Sequence, residues 1–369
     1  MTHRTATIPT IPTLTTVQLP TTLGLDLSDR MSHYHVLRGD EHTLAVGKVA
    51  TTRADLTALF ERWKDCRLVI EAGGHSPWIS RLAKKCGMDV VVGNPRRVEL
   101  ISKSDHKTDR SDAHSLADLG RVSTRLLAPI THRSAQAQAD LCALRSRDEL
   151  VRLRTGAVNH VRSVMKSNGY RIEPCSADSF GRKAWTSIPA ELEIGLRHVM
   201  TSIVALSQQI ADLDKQIERL CAERYPITQA LRQIGGVGPV VALTFVLTLD
   251  DPTRFRRARD VGAYLGLVPR KRSSGTSDPQ LRITKAGDRS MRRLLVIAAN
   301  YILGRFGPDC DLRRFGLKIV GAGNDTRAKK RARVAVARKL AVVMHHLWRT
   351  GEVYDPLHTA KARGELAAV

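Results

Sequence analysis

The chain has 369 residues and carries 59 Lys and Arg against 36 Asp and Glu, a formal net charge of +23 at pH 7. That length suits two or three domains with real cores, and so basic a surface repels itself unless a polyanion offsets it. Nucleic acid is the default partner and an anionic membrane surface the competitor, while the absence of any run of about 18–20 apolar residues argues against a membrane span.

The first twenty residues, MTHRTATIPTIPTLTTVQLP, form a Thr/Pro-rich tail (1–20) without the apolar core of a secretory signal. The cysteines Cys66, Cys86, Cys142, Cys175, Cys221 and Cys310 show neither C-x-x-C nor zinc-finger spacing. Neither a zinc site nor a disulfide framework is therefore expected, and a reducing cytoplasm fits. From Leu23, LGLDLSDRMSHYHVL predicts two short strands with a turn around Ser28–Met31. DLTALFERWKDC has helical spacing, with Leu56, Leu59, Phe60 and Trp63 on one face. RLVIEAGG and MDVVVGNP are buried-strand patterns, and ISRLAKKCG between them is a helix closed by Gly87. This alternation predicts an α/β domain with parallel strand pairs over 21–133.

From about Ser134 the pattern becomes helical. Ala135 to Ser167 is one long helix, with Leu144, Val151, Val158 and Met165 seven apart. In a second, Leu196, Val199, Ile203, Leu206, Ile210, Leu213, Ile217 and Leu220 alternate three and four apart. That heptad pattern predicts a coiled coil or a long antiparallel hairpin over 134–224, packed within the chain or between chains. Tyr225-Pro226 breaks it. A helical C-terminal domain over 225–350 follows, with an irregular tail over 351–369. Its last two helices begin at DRSMRR, with Asp288 near the N-cap, and at about Thr326.

Four carboxylates stand out in the first domain. Asp26 lies in the first strand, Glu71 ends LVIE, and Asp109 and Asp112 share one helix face in KTDRSDAHSLADL. Such groups are costly to bury together unless a divalent cation bridges them, and Mg²⁺ is the natural candidate. Each taken singly is equally a strand-edge, turn or helix-start residue. In the third domain, IGGVGP places Gly236 and Gly238 between apolar helical segments, the pattern of a helix-hairpin-helix phosphate cradle or of a plain tight turn. Beyond it, PRKRSSGTSDPQLRITKAGDRSMRR surrounds Ser273 and Ser274 with Arg270, Lys271, Arg272, Arg282, Lys285, Arg289, Arg292 and Arg293. Met291, Leu294, Leu295 and Ala298 make the buried stripe of the following helix, which turns Arg292 and Arg293 outward. A serine needs help losing its proton to act as a nucleophile, and guanidinium groups orient and stabilise phosphate.

The blocks GLDLSD, LVIEAGGHS, VGNPRRV, KTDRSDAHSLA, LRQIGGVGPVVALTFV, RFRRARDVGAYLGLVPRKRSSG and ITKAGDRSMRRLLVIAA, in this order, resemble the IS110 family, the DEDD-type, bridge-RNA-guided insertion-sequence transposases. The resemblance implies an RNase H-like, RuvC-type N-terminal domain, a coiled-coil middle and a helical C-terminal transposase domain. It places Asp26, Glu71, Asp109 and Asp112 on the family's Mg²⁺-binding tetrad and Ser274 on its nucleophilic serine, with Ser273 one residue away. Thr276, Ser277, Asp278 and Pro279 follow where the family often has a second glycine and more basic residues. It implies DNA strand exchange through a phosphoserine, donor and target DNA and a bridge RNA as partners, a cytoplasmic setting, and a dimer or tetramer in which two subunits build each site. Two other readings use the same residues: a metal-dependent RuvC-like junction nuclease without the serine, and a noncatalytic nucleic-acid-binding scaffold.

Overall fold

A computed structural model describes residues 19–96, 109–275, 277–279, 281–321 and 325–362. The tail expected at 1–20 lies almost wholly outside the described residues, as do Lys107 and Thr108 of the KTD motif and Arg97 and Val98 of VGNPRRV. The chain divides into two compact units, one ending at His132 and one beginning at Arg133.

The first unit runs β1 (Thr22–Asp26), β2 (Met31–Leu37), β3 (Thr43–Ala50), α1 (Arg53–Arg62), β4 (Arg67–Glu71), α2 (Ser76–Lys85), β5 (Asp89–Gly93) and α3 (Asp109–Val122). The sheet order is β3-β2-β1-β4-β5: β2 runs antiparallel to both of its neighbours, β1 and β3, while β4 and β5 run parallel to β1. The central strands are continuously apolar because helices cover both faces. On one face Leu23, Leu25, Leu68 and Ile70 meet Leu56, Phe60, Ile79 and Ala83 from α1 and α2. On the other, Val69 and Val91 pack with Leu116 of α3 and with Leu127. β3 is absent from the expectation drawn from sequence. Its TLAVGKVA is largely exposed at the sheet edge, and its apolar alternation is interrupted by Gly47, which lies against the Tyr34 ring.

The second unit is helical. Its helices are α4 (Ala135–Ser167), α5 (Ala177–Lys183), α6 (Ala190–Glu223), α7 (Ile227–Leu231), α8 (Pro239–Leu249), α9 (Ala258–Tyr264), α10 (Arg289–Leu303), α11 (Asp311–Val320), α12 (Thr326–Thr350) and α13 (His358–Ala362). α4 and α6 form an antiparallel hairpin, pinned by Asp140 with Arg224, Arg147 with Asp214, and Arg154 with Ser207. α6 turns its heptad positions Leu196, Ile203, Ile210 and Ile217 into this interface, so the repeat is used within the chain. On α4 the expected repeat is broken: Val151 is only half-buried, and Arg154 is buried instead. Its guanidinium bonds Asp178 at 2.6 Å and Ser207 Oγ at 3.2 Å, which satisfies a charge that would otherwise be expensive to bury.

Val241 to Leu249 of α8 are all buried, as befits a helix apolar on every side. Phe245, Val246 and Leu249 join Met291, Leu295 and Ala298 of α10 and Leu340 and Met344 of α12 in one core. Asp288 caps α10, accepting from the Met291 amide at 2.9 Å, as its position predicts. The stretch after Gly351 is not irregular throughout. Its described part includes α13, where the Asp311 carboxylate accepts from the Thr359 and Ala360 amides and Ala360 is buried. A five-residue helix tied by carboxylate caps leaves no periodic signal to find in the sequence.

Candidate active site and nucleic-acid interface

The carboxylates of the first unit are placed by the sheet. β1 and β4 are parallel neighbours, with Leu25 beside Ile70, so Asp26 and Glu71 end adjacent strands at the same end. Thr22, Gly24 and Asp26 alternate onto the α3 face, as do Val69 and Glu71. α3 lies close over that face: a Cβ on Gly24 would stand 2.1 Å from the Ala113 carbonyl oxygen and 2.4 Å from the Ala117 amide. Asp109 and Asp112 occupy the first turn of α3, one turn before this contact. The far end of α3 is fixed by Arg121, which is buried and donates to the Gly39 carbonyl, Glu41 and Asp118. The turn after Glu71 is fixed by Ser76, whose hydroxyl accepts from the Gly73 amide, donates to the Gly73 carbonyl and bonds His132 at 3.0 Å.

The fold thus brings all four predicted carboxylates to one end and one face of the sheet. Their oxygens are the hard donors that Mg²⁺ takes, so the donor chemistry fits that ion. Among the described residues, however, no three His, Cys, Asp or Glu side chains are gathered closely enough to hold a metal. Two histidines of β2 flank the same face. His33 pairs across the strands with Asp26, and its Nδ1 is 3.6 Å from Asp109. His35 stacks edge-on against His114 of α3 at 4.7 Å. Burial pulls the His35 pKa below its ordinary value, and the neighbouring His114 and Arg110 lower it further. The sequence reading passed over both histidines; their i, i+2 spacing next to the Asp26 turn was the available signal.

In the second unit the predicted serine stands on a hairpin. Pro269 bridges to Ile283, and the Arg270 amide donates to the Arg282 carbonyl at 3.0 Å. At the tip, Ser274 and Ser277 exchange both backbone hydrogen bonds, at 3.1 and 3.0 Å. Gly275 has φ of +54°, a left-handed conformation that glycine adopts without a Cβ penalty. Arg270, Lys271, Arg272, Ser273, Ser274 and Lys285 are all exposed. The base of the hairpin is tight. A Cβ on Gly266 would meet the Ala286 oxygen at 2.2 Å, and one on Gly287 the Tyr264 oxygen at 2.0 Å.

Of the expected outward-facing pair, Arg293 is exposed as expected and Arg292 is not. Arg292 is half-buried and donates to the carbonyls of Leu265 at 3.0 Å and Ala286 at 2.6 Å, so it clamps the hairpin base. Arg293 is exposed but pairs with Asp148 of α4. Periodicity assigns each a face; it cannot show the loop carbonyls that fold back over that face. The IGGVGP segment joins the short α7 to α8. Gly236, at φ of +86°, fits against Tyr301 and the Ala298 carbonyl of α10, while Gly238 precedes Pro239 at the start of α8 with no atom near its absent Cβ. Packing therefore accounts for Gly236, and Gly238 stays half-exposed.

The acidic end of the α/β unit and the exposed, cationic, serine-bearing hairpin of the helical unit are the chain's two chemically conspicuous features. Residues 23–168 match the family model of DEDD transposases, and residues 228–313 match that of the IS116/IS110/IS902 transposases. The first segment contains all four carboxylates and the second contains Ser274. The chain is 29% identical over 293 residues to a probable family 20 transposase of Pseudomonas aeruginosa, covering 76% of this chain and 83% of that protein. It is 29% identical over 322 residues to the transposase for insertion sequence element IS1111A of Coxiella burnetii, covering 84% and 85%. With the transposase for insertion sequence element IS1328 of Yersinia enterocolitica it shares 28% over 290 residues, covering 77% and 84%. The chain belongs to the IS110/IS116/IS902 family of transposases, with a DEDD N-terminal domain, and is an enzyme acting on DNA.

Proposed function

We propose that this transposase cuts and rejoins DNA by serine transesterification, with an RNase H-like carboxylate domain over 21–133, a coiled-coil region over 134–224 and a serine-bearing domain over 225–350. The observation that supports the reading is the hairpin: Ser274 is exposed at its tip, and the exposed Arg270, Lys271 and Arg272 precede it within four residues. Ser274 Oγ attacks a backbone phosphorus. The Oγ–P bond forms as a P–O bond to deoxyribose breaks, the serine gives up its proton and the leaving oxygen takes one. A deoxyribose hydroxyl of a second strand then attacks the phosphoserine, making the new phosphodiester and freeing Ser274. The number of phosphodiester bonds is conserved, so no energy source is required.

Arg270, Lys271, Arg272 and Lys285 bind the flanking phosphates, and the Gly236–Gly238 turn is a further backbone contact. Arg292 keeps the hairpin base rigid, and Arg293 can exchange its Asp148 partner for phosphate. Asp26, Glu71, Asp109 and Asp112 would hold Mg²⁺, which when bound supplies Lewis-acid stabilisation of charge on the phosphate oxygens. The partners are donor and target DNA and a bridge RNA that reads both by base pairing, leaving the protein to bind backbone and shape. The working particle is a homodimer or tetramer in the bacterial cytoplasm, with serine and carboxylates of one site drawn from two subunits. Among the described residues no helix is long and apolar enough to cross a membrane.

The test is cleavage and strand exchange by wild type, Ser274→Ala and Asp26→Ala, with cognate noncoding RNA, donor and target DNA and Mg²⁺. RNA-dependent exchange lost in both variants is expected. Free cleaved DNA that persists in Ser274→Ala would instead favour the metal-dependent junction nuclease.

A further inference from the structure

We infer that His33 is a positioning residue that orients the Asp109 carboxylate toward Asp26, an inference that rests on the carboxylate site proposed above. The two side chains come from different elements. His33 is on β2, directly across the strands from Asp26, whereas Asp109 opens α3. Residues opposite each other in an antiparallel pair share a face, so the imidazole lies beside the strand-end carboxylate on the face that α3 covers. His33 Nδ1 is buried, has no hydrogen-bond partner among the described residues and lies 3.6 Å from Asp109 Oδ2.

A buried ring nitrogen without a partner is costly. Asp109 is a carboxylate within reach that can remove that cost. Its side chain is 67% exposed, against 16% for His33, so the carboxylate has more room to turn than the ring. A small χ rotation of Asp109 closes the gap to a hydrogen bond with the proton on Nδ1. The strand that carries the ring is held against α3: two residues on, His35 stacks on His114 of α3 and bonds the Thr43 hydroxyl through Nε2 at 3.0 Å. Strand and helix are thus locked side by side. His33 does not touch the reacting phosphate; it limits where one of the four carboxylates can point. Groups that orient a ligand in this way change metal affinity by about 10–100-fold when removed.

The experiment titrates Mn²⁺ into the full-length protein, followed by electron paramagnetic resonance of the free ion. Wild type is compared with His33→Asn, His33→Gln, His33→Phe and Asp26→Asn, and folding is checked by circular dichroism in EDTA. The Asn amide nitrogen takes the place of Nδ1, so His33→Asn should bind Mn²⁺ within about threefold of wild type. Gln places its amide nearer the Nε2 position and Phe has no donor, so both should bind at least about tenfold more weakly. Because Gln is polar, it keeps the comparison open if the Phe variant is poorly folded. Asp26→Asn should lose the site. If Asp26→Asn loses binding while His33→Gln and His33→Phe bind as wild type, the positioning role is overturned and the carboxylate site stands. Equal weakening in Asn, Gln and Phe also overturns it, since that would reflect packing rather than donation from Nδ1. Wild-type binding in Asp26→Asn, or none in wild type, overturns the site itself and the inference with it.

Discussion

Gly24→Ala should disable the enzyme without touching a chemical group. The added Cβ would sit 2.1 Å from the Ala113 oxygen and 2.4 Å from the Ala117 nitrogen, whereas real Cβ contacts essentially never fall under 3.0 Å. Both atoms are helix backbone, so no side chain can rotate away, and α3 must withdraw by about 1 Å to restore ordinary contact. Overpacking of this kind costs about 1–3 kcal/mol, and a backbone-to-backbone clash belongs at the upper end. The functional loss is larger, because Asp109 and Asp112 ride on the displaced helix and a misplacement of about 1 Å costs about 100-fold in rate. Gly120→Ala is the control. Its Cβ would meet the Val69 Cγ2 at 2.2 Å, a side-chain rather than a backbone clash, and about 1–2 kcal/mol is expected. Hydrogen exchange of β1 and α3 amides in the full chain measures the local stability, and strand exchange on donor and target DNA measures function. Wild-type protection together with wild-type exchange in Gly24→Ala would refute the close packing of α3 on β1 and the placement of the carboxylates that follows from it.

Asp140 tests the foot of the α4–α6 hairpin. Burial alone would raise its pKa, but hydrogen bonds from Tyr225, Arg224 and Gln136 outweigh that and leave it below the ordinary value. Its stabilising contribution is therefore complete above about pH 4 and fades as pH falls through the lower folded-state value. Asp140→Ala should cost about 2–3 kcal/mol at pH 7, less than for a fully buried pair because Arg224 is half-exposed, and should flatten the acid limb of thermal melts. At the hairpin tip, Gly275→Asn should keep most activity and Gly275→Val should lose it, since φ of +54° is open to Asn and costly for a β-branched residue. Replacing Arg270, Lys271 and Arg272 by Ala should lower the slope of log affinity against log salt by about 2.7, at about 0.9 per phosphate contact, in DNA-binding titrations. Arg292→Met should leave that slope unchanged yet slow strand exchange, because Arg292 serves the Leu265 and Ala286 carbonyls.

Much of this was legible in the sequence because it rests on periodicity. LVIE and DVVVG read as buried strands since α1, α2 and α3 cover both sheet faces, and the heptads of α6 are spent on α4 as their spacing requires. Asp26 and Glu71 stand out because a carboxylate at the end of an apolar run is chemically conspicuous. What escaped is what long-range contact decides. β3 carries a weak alternation at an exposed edge, and Arg154 takes a core position only because Asp178 and Ser207 lie across from it. Arg292 has the same sequence surroundings as Arg293, and only the folded loop separates a clamp from an exposed ion pair. His33 gives no signal until the β1–β2 register sets it opposite Asp26.

The measurement closest to the central claim is the site of covalent attachment. Full-length protein, noncoding RNA and DNA would be stopped by denaturation during strand exchange, the DNA digested to its terminal nucleotide, and the adduct peptide sequenced by tandem mass spectrometry. The account predicts a phosphonucleotide on Ser274. Attachment to Ser273 would move the nucleophile by one residue on the same hairpin. Strand exchange that proceeds with no nucleotide on either serine would contradict the phosphoserine mechanism.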